Sequence, residues 1–239
     1  MFDINVISKR IKNARVQKNM TQMDLADAMG VSYQAVSNWE RGNSLPDISK
    51  IEQLCKELDI SFDVLLGSDS KEAVAVKKAI NDVDSLSTEE VSRIAPMIKP
   101  IDLKNTIKKD KANLDIDVLV NLAVFLDEEE ITEMAKRVDS ISNISKLVGL
   151  APFVNEKILC DLAMQYKGNW GDSLTGLAPF LDKEMVGTIA VDALENGNID
   201  IEHLKSAAPF IDGQSIERIL EYIKEKGNLE DLLAFAVFK

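Results

Sequence analysis

The sequence predicts an all-α chain in two parts: an N-terminal bundle of five short helices, then an α-solenoid of about five two-helix repeats of roughly 28 residues. Three observations carry that expectation. Apolar residues fall at helical spacing throughout, as in Ile51, Leu54, Cys55, Leu58 and in Ile216, Ile219, Leu220, Ile223. No sustained period-2 alternation and no Asn-Gly hairpin between apolar runs marks a strand, so the whole protein should be helical. A tetrapeptide of the type Ala-Pro-Phe-Leu or a close variant returns at intervals of 27 to 30 residues from Ala95 onward.

Start and stop signals cut residues 1–66 into five helices. The first runs from about Asn5 to Lys18, with Ile7, Ile11 and Ala14 inward. Thr21 caps the second and forms a capping-box pair with Asp24; Leu25, Ala26 and Met29 share its inner face, and Gly30 supplies a left-handed stop. Ser32 caps a third helix that ends near Arg41-Gly42. Asp47, after Pro46, opens a fourth that buries Ile51, Leu54, Cys55 and Leu58. Ser61 opens a last turn carrying Phe62, Leu65 and Leu66.

The third helix carries the functional signal. At 100° per residue, with Val36 inward, Gln34, Ser37, Asn38 and Arg41 point outward and Tyr33 lies near the helix start, while Trp39 and Glu40 turn back to the core. Amides and hydroxyls of this kind suit base edges. Two short helices joined by a turn containing Gly, the second with a polar outer face, form a helix-turn-helix pattern.

The run TQMDLADAMGVSYQAVSNWERGNSLPDI resembles the lambda-repressor/Cro-type (XRE) helix-turn-helix family, over residues 7–66. Thr21-Gln22, Leu25-Ala26, Gly30-Val31-Ser32, Val36-Ser37, Trp39-Glu40-Arg41-Gly42, Pro46-Asp47 and Leu65-Leu66-Gly67 fall in its register. The resemblance implies a five-helix domain that binds double-stranded operator DNA, usually as a dimer. By position, it implies that Gln22 clamps a phosphate at the start of the second helix. Tyr33, Gln34, Ser37 and Asn38 would reach into the major groove, and Arg41 and Asn43 would hold the backbone beyond it. Arg15 and Glu40 match a partly buried structural ion pair.

The domain division expected is 1–67 for DNA binding, 68–90 for a linker with an amphipathic helix from Lys71 to Val83, and 91–239 for the repeats. The tetrapeptide begins at Ala95, Ala123, Ala151, Ala178 and Ala208, with a sixth partial copy at Ala236. Val91, Leu119, Leu147, Leu174, Leu204 and Leu232 precede it at a fixed offset. Met134, Leu162, Ile189 and Ile219 follow it in copies two to five, with Thr106 in the first. Each copy reads as a first helix ending at Pro-Phe, then a second capped by Asp127, Asn155, Asp182 or Asp212 and stopped at Gly168-Asn169, Gly197-Asn198 or Gly227-Asn228. Such hairpins bury their apolar stripe only by stacking, which predicts a HEAT-like array. The Pro should bend the helix late in its course, and the Phe should be core between repeats. The helix from about Leu229 either completes that core or forms a homodimer seam; the segment Lys71 to Val83 is the competing dimerisation element.

Composition limits the rest. Residues 1–66 hold 8 Lys/Arg against 9 Asp/Glu, while 67–239 hold 20 against 31, so the net charge of −12 lies almost wholly in the second part. A near-neutral DNA reader has modest non-specific affinity, offset in part by Lys9, Arg10, Lys12 and Lys18, and is expected to act as a dimer on a near-palindromic operator. The single histidine, His203, expected to be exposed, and the lack of a glycine-rich phosphate loop weaken most enzyme readings, leaving only a carboxylate-only or hydroxyl-only site to which nothing points; no enzyme, no metal and no cofactor are expected. Cys55 and Cys160 read as reduced core thiols. The apolar runs are too short to span a membrane and the first ten residues lack a signal-peptide core, so the expected location is cytoplasmic. The expected function is a dimeric, sequence-specific transcriptional repressor whose acidic repeats serve dimerisation and protein or peptide binding. The alternative is a scaffold whose helix-turn-helix domain binds another regulator.

Overall fold

The computed structural model describes residues 3–67, 70–226 and 229–238, which form two compact units, 1–112 and 113–239. The first contains 17 Lys/Arg and 17 Asp/Glu; the second contains 11 and 23, the whole net charge of the chain.

Eight α-helices are described in the first unit: α1 (Ile4–Gln17), α2 (Gln22–Met29), α3 (Tyr33–Arg41), α4 (Ile48–Leu58), α5 (Phe62–Leu66), α6 (Lys71–Asn81), α7 (Thr88–Ile94) and α8 (Pro100–Lys109). The first seven begin on a side chain that accepts a backbone N–H: Asp3, Thr21, Ser32, Asp47, Ser61, Ser70 and Ser87. Each cap satisfies donors that the first turn leaves unpaired, worth about 1 kcal/mol apiece. Ile7, Ile11, Leu25, Met29, Val36, Ile51, Leu54 and Leu65 close the core of α1–α5. Burying each large aliphatic side chain contributes about 1.5–3 kcal/mol. α6 packs against α4, α5 and α7 through Ala73, Val76 and Ala79. α7 and α8, which the recurrence assigns to the first repeat, lie in this unit, and that copy ends in a buried Met97.

The second unit contains α9 (Ile116–Leu122), α10 (Glu128–Ala135), α11 (Ser145–Leu150), α12 (Glu156–Gln165), α13 (Ser173–Leu177), α14 (Lys183–Glu195), α15 (Ile201–Ala207), α16 (Gly213–Lys226) and α17 (Leu229–Ala236). Packing runs α9 to α11 to α13 to α15 to α17, and separately α10 to α12 to α14 to α16. Leu119, Leu147, Leu174 and Leu204 are buried on the first row; Met134, Leu162, Ile189 and Ile219 are buried on the second. Asp127, Asn155, Asp182 and Asp212 each accept a backbone N–H at the start of the second-row helices. Backbone hydrogen bonds also join equivalent loops: Leu114 N donates to Arg137 O at 2.9 Å, and Trp170 N donates to Asn198 O at 2.8 Å.

The structure corrects several expectations. The fold is not wholly helical: β1 (Leu114–Asp115) pairs in parallel with β2 (Val138–Ser140), segments too short to carry a period-2 signal. The recurrent Pro does not bend a helix. In three second-unit copies it is the second residue of a 3-10 turn, Ala151–Phe153, Ala178–Phe180 or Ala208–Phe210, where the α-helix has already ended. Nor is the Phe core: Phe153, Phe180 and Phe210 are each 36% exposed. Two residues past the buried Ala is a rotation of roughly 200–240°, which turns the ring away from the inward stripe.

α12 ends at Gln165, before Gly168-Asn169, and Gly227-Asn228 lies outside the described residues. In α17, Phe235 is fully buried, whereas Leu229, Leu233 and the sixth-copy residues Ala236, Val237 and Phe238 are exposed. Cys160 and His203 are half-buried.

Candidate nucleic-acid interface

The candidate interface is built by α2, the turn after it and α3. Thr21 Oγ1 accepts from Asp24 N, and Asp24 Oδ2 accepts from Thr21 N at 2.7 Å, closing the capping box. The hydrogen bonds from Thr21 hold the Asp24 carboxyl below its ordinary pKa, fixing a negative charge at the start of α2. Gly30 ends α2 at φ +61, a left-handed conformation that glycine adopts without strain, and Val31 N donates back to Ala26 O at 3.0 Å. Ser32 then starts α3, and Gly42 ends it at φ +77.

α3 is anchored from beneath by a buried cluster. Arg15 Nε and Nη2 donate to the two carboxylate oxygens of Glu40, with side-chain exposures of 10% and 2%. Arg15 Nη1 also donates to Met20 O, and Gln22 Nε2 donates to Glu40 Oε2 at 2.7 Å. Burial would push the Glu40 carboxyl up. Hydrogen bonds from Arg15 and Gln22, with the Arg15 and Lys12 charges, outweigh burial and hold its pKa below the usual value. The hydrogen bond to Glu40 raises the Arg15 pKa against its own desolvation. One carboxylate thereby joins α1, α2 and α3.

Tyr33, Gln34, Arg41 and Asn43 are exposed, and Asn38 is half-exposed. Ser37 departs from the expected outer face. At 9% exposure it is buried, since it stands on the flank of a helix packed against both α1 and α2. The Arg41 side chain folds back, with Nε donating to Ser37 O at 3.3 Å. Arg41 Nη2 and Asn43 Nδ2 both donate to Asn38 Oδ1, at 2.9 and 3.4 Å. The polar face therefore satisfies itself, with the amide oxygen of Asn38 occupied and Gln34 free of any such tie. Sequence reasoning missed the Gln22–Glu40 bond and the Arg41–Asn38–Asn43 cluster. The second has a signal in its spacing, because residues three apart on a helix are neighbours.

The four cations expected to aid DNA affinity, on α1 and at its C-cap, divide in two. Arg10 Nη1 donates to Leu65 O at 3.1 Å and Lys18 Nζ to Glu57 O at 2.8 Å, so both also tie the domain together; Lys9 and Lys12 are exposed. Burial pushes the Cys55 thiol up to about 11, keeping it protonated at neutral pH. Among the described residues, no group of three or more His, Cys, Asp or Glu could hold a metal ion, and no helix is long and apolar enough to cross a membrane.

Comparison with known proteins fits this geometry. The helix-turn-helix family pattern matches residues 11–65. The uncharacterized HTH-type transcriptional regulator YqaE of Bacillus subtilis is 32% identical over 116 residues, covering 44% of this chain and all of YqaE. The cryptic phage CTXphi transcriptional repressor RstR of Vibrio cholerae is 26% identical over 105 residues, 43% of this chain and 92% of RstR. The HTH-type transcriptional regulator ImmR of Bacillus subtilis is 30% identical over 89 residues, 35% of this chain and 70% of ImmR. These are names of regulators rather than enzymes. With a left-handed stop on each side of a polar helix, a carboxylate locking that helix from beneath, and a relative matched over its whole length, the chain belongs to the helix-turn-helix family of DNA-binding transcriptional regulators, with an XRE-type domain at its N-terminus.

Proposed function

We propose that this chain is a cytoplasmic, dimeric, sequence-specific repressor. In this reading residues 1–67 dock on DNA, residues 68–90 connect, and residues 91–239 form a HEAT-like α-solenoid that supplies dimerisation and binds a protein or peptide partner. The carrying observation is α3 itself, whose inner face is fixed through Glu40 while Tyr33 and Gln34 stand exposed at its start.

Gln34 and Asn38 pair with base edges, and Tyr33 contacts bases or sugar at the groove wall. Ser37 contributes least, because only a hydroxyl on a 9% exposed residue is offered. Gln22 takes a phosphate at the start of α2, and Arg41 and Asn43 hold the backbone past the end of α3. Asn38 reads adenine only once Arg41 and Asn43 leave its oxygen, so the two moving to the DNA backbone free the amide they now occupy. Two copies would read half-sites about 34–36 Å apart.

The test is site selection by the full chain from random-sequence duplexes. Enrichment of a near-palindrome, lost in Gln34→Ala and Asn38→Ala, is the expected result. Binding without a consensus, or none, would favour a scaffold whose helix-turn-helix domain contacts another regulator. The equal numbers of acidic and basic residues in the first unit are what keep that second reading in play.

A further inference from the structure

Phe153, Phe180 and Phe210 stand 36% exposed at equivalent places, each preceded by an exposed proline, Pro152, Pro179 or Pro209. Each pair occupies a 3-10 turn at the end of a first-row helix. The second copy, Val124-Phe125, has an exposed Val and a half-buried Phe in the same kind of turn. Because α9, α11, α13 and α15 pack in series, these turns fall along one edge of the second unit. Helices packed side by side lie about 8–10 Å apart, which sets the spacing of the apolar pairs.

We propose that this edge docks an extended, cationic segment of a partner protein in polyproline-II conformation, with an apolar residue at every third position. The inference deepens the partner-binding role given above to the repeat array, and rests on it. Spacing selects the conformation. A polyproline-II chain repeats after three residues, roughly 9 Å along its axis, which keeps step with the turns. A β-strand presents one face every second residue, about 6.6–6.8 Å, and loses register after one turn. Rings and prolines in rows are what such ligands dock against, because a stiff chain meets stiff side chains at low entropic cost.

Charge selects the partner. The second unit holds 23 acidic residues against 11 basic ones; within a few residues of the turns Asp127, Glu128, Glu129, Glu156, Asp182 and Glu184 lie exposed, against the exposed cations Lys157 and Lys183, so the edge stays net negative. A cationic segment is attracted there, whereas a second copy of the same edge would bring like charges together.

The probes are a fluorescein-labelled peptide of four Pro-Leu-Lys triplets, the Pro-Leu-Glu counterpart, and a helix-forming Leu/Lys/Ala peptide, each titrated into the full chain by fluorescence anisotropy. The Pro-Leu-Lys peptide should saturate and the Pro-Leu-Glu peptide should not. The double variant Phe153→Ser/Phe180→Ser should raise Kd about tenfold. Glu128→Lys/Glu129→Lys, which leaves every ring in place, should also weaken binding, with thermal unfolding showing that both variants remain folded at the assay temperature. Equal binding by the serine variant, equal binding of the Pro-Leu-Glu peptide, or no Pro-Leu-Lys binding would overturn the proposal. Preference for the helical peptide would overturn it while leaving the array a partner-binding module. A fall in sedimentation mass on Phe153→Ser/Phe180→Ser would overturn it in favour of a seam between copies. No DNA enters the assay, so its outcome is separate from that of site selection.

Discussion

Gln22 Nε2 lies 2.7 Å from Glu40 Oε2, tying the first residue of α2 to the last turn of α3. The same oxygen accepts from Arg15 Nη2 at 2.9 Å, so the spacing of the two helices depends on one carboxylate. Under the proposed function, Gln22 exchanges this partner for a phosphate when DNA arrives, while Arg15 keeps Glu40 satisfied.

Glu40→Gln is expected to cost about 3 kcal/mol of stability, because it strands the Arg15 guanidinium beneath α3. Urea unfolding measures this, and a change below about 0.5 kcal/mol would contradict the assigned role. The pH dependence has a definite sign. Burial raises the Glu40 pKa, but its hydrogen bonds and the Arg15 and Lys12 charges together lower it by more, so its folded value is depressed. Its contribution is complete above the ordinary carboxylate pKa of about 4.3 and is lost as pH falls through the folded value. In the glutamine variant that part of the acid sensitivity should vanish.

Gln34 and Arg41 should separate in their effects on the proposed DNA complex. Gln34→Ala is expected to lose about 1–3 kcal/mol at one base pair and little elsewhere. Arg41→Ala should weaken binding evenly across sequences and reduce the salt slope by about 1. Electrophoretic shift titrations over a salt series distinguish the two patterns, and an even loss for Gln34→Ala would place that side chain on the backbone.

Two glycines should fail for different reasons. Gly30→Ala meets open space, so its cost is the left-handed backbone alone, about 1–2 kcal/mol. A Cβ at Gly187 on α14 would collide with the Asp212 carboxylate and the Ser215 side chain at the start of α16. Gly187→Ala is therefore expected to destabilise by about 1–3 kcal/mol through overpacking. Thermal unfolding of each variant should show the expected loss, and an undisturbed Gly187→Ala would contradict the close approach of α14 and α16.

His203 should titrate above its ordinary value. Asp200, which caps α15, lies 2.6 Å from His203 Nδ1, and this hydrogen bond raises the imidazole pKa above 6.5, aided by the Asp172 and Glu202 charges. With the folded pKa raised, the stabilisation is complete below about 6.5 and disappears as pH climbs through the folded value. NMR titration of the ring should give a midpoint above 6.5 that falls in Asp200→Asn; a midpoint unmoved by that change would remove Asp200 as the cause.

What could be read from the sequence was local. The Thr21–Asp24 box, the Gly30 stop and the Ser32 cap lie within three residues of the backbone they act on, so order along the chain already specifies them. The Gln22–Glu40 bond spans 18 residues and depends on how α2 meets α3. Ser37 shows the limit of a helical wheel, which gives direction but not the height of neighbouring elements. The Phe positions show that recurrence marks equivalence rather than burial. Ala151 and Phe153 recur equally, and only the alanine faces inward.

The partition of charge between a balanced first unit and an anionic second one has a kinetic consequence for a chain that reads DNA. Phosphates repel the second unit at every site, cognate or not, whereas the base contacts exist at one sequence only. Under the proposed function, a repulsion common to all sites shortens residence on every stretch of DNA by the same factor, so the ratio between operator and background is left to the base contacts. The charge of the second unit would instead set how much of the protein is free rather than held on background DNA, without altering which sequence it prefers.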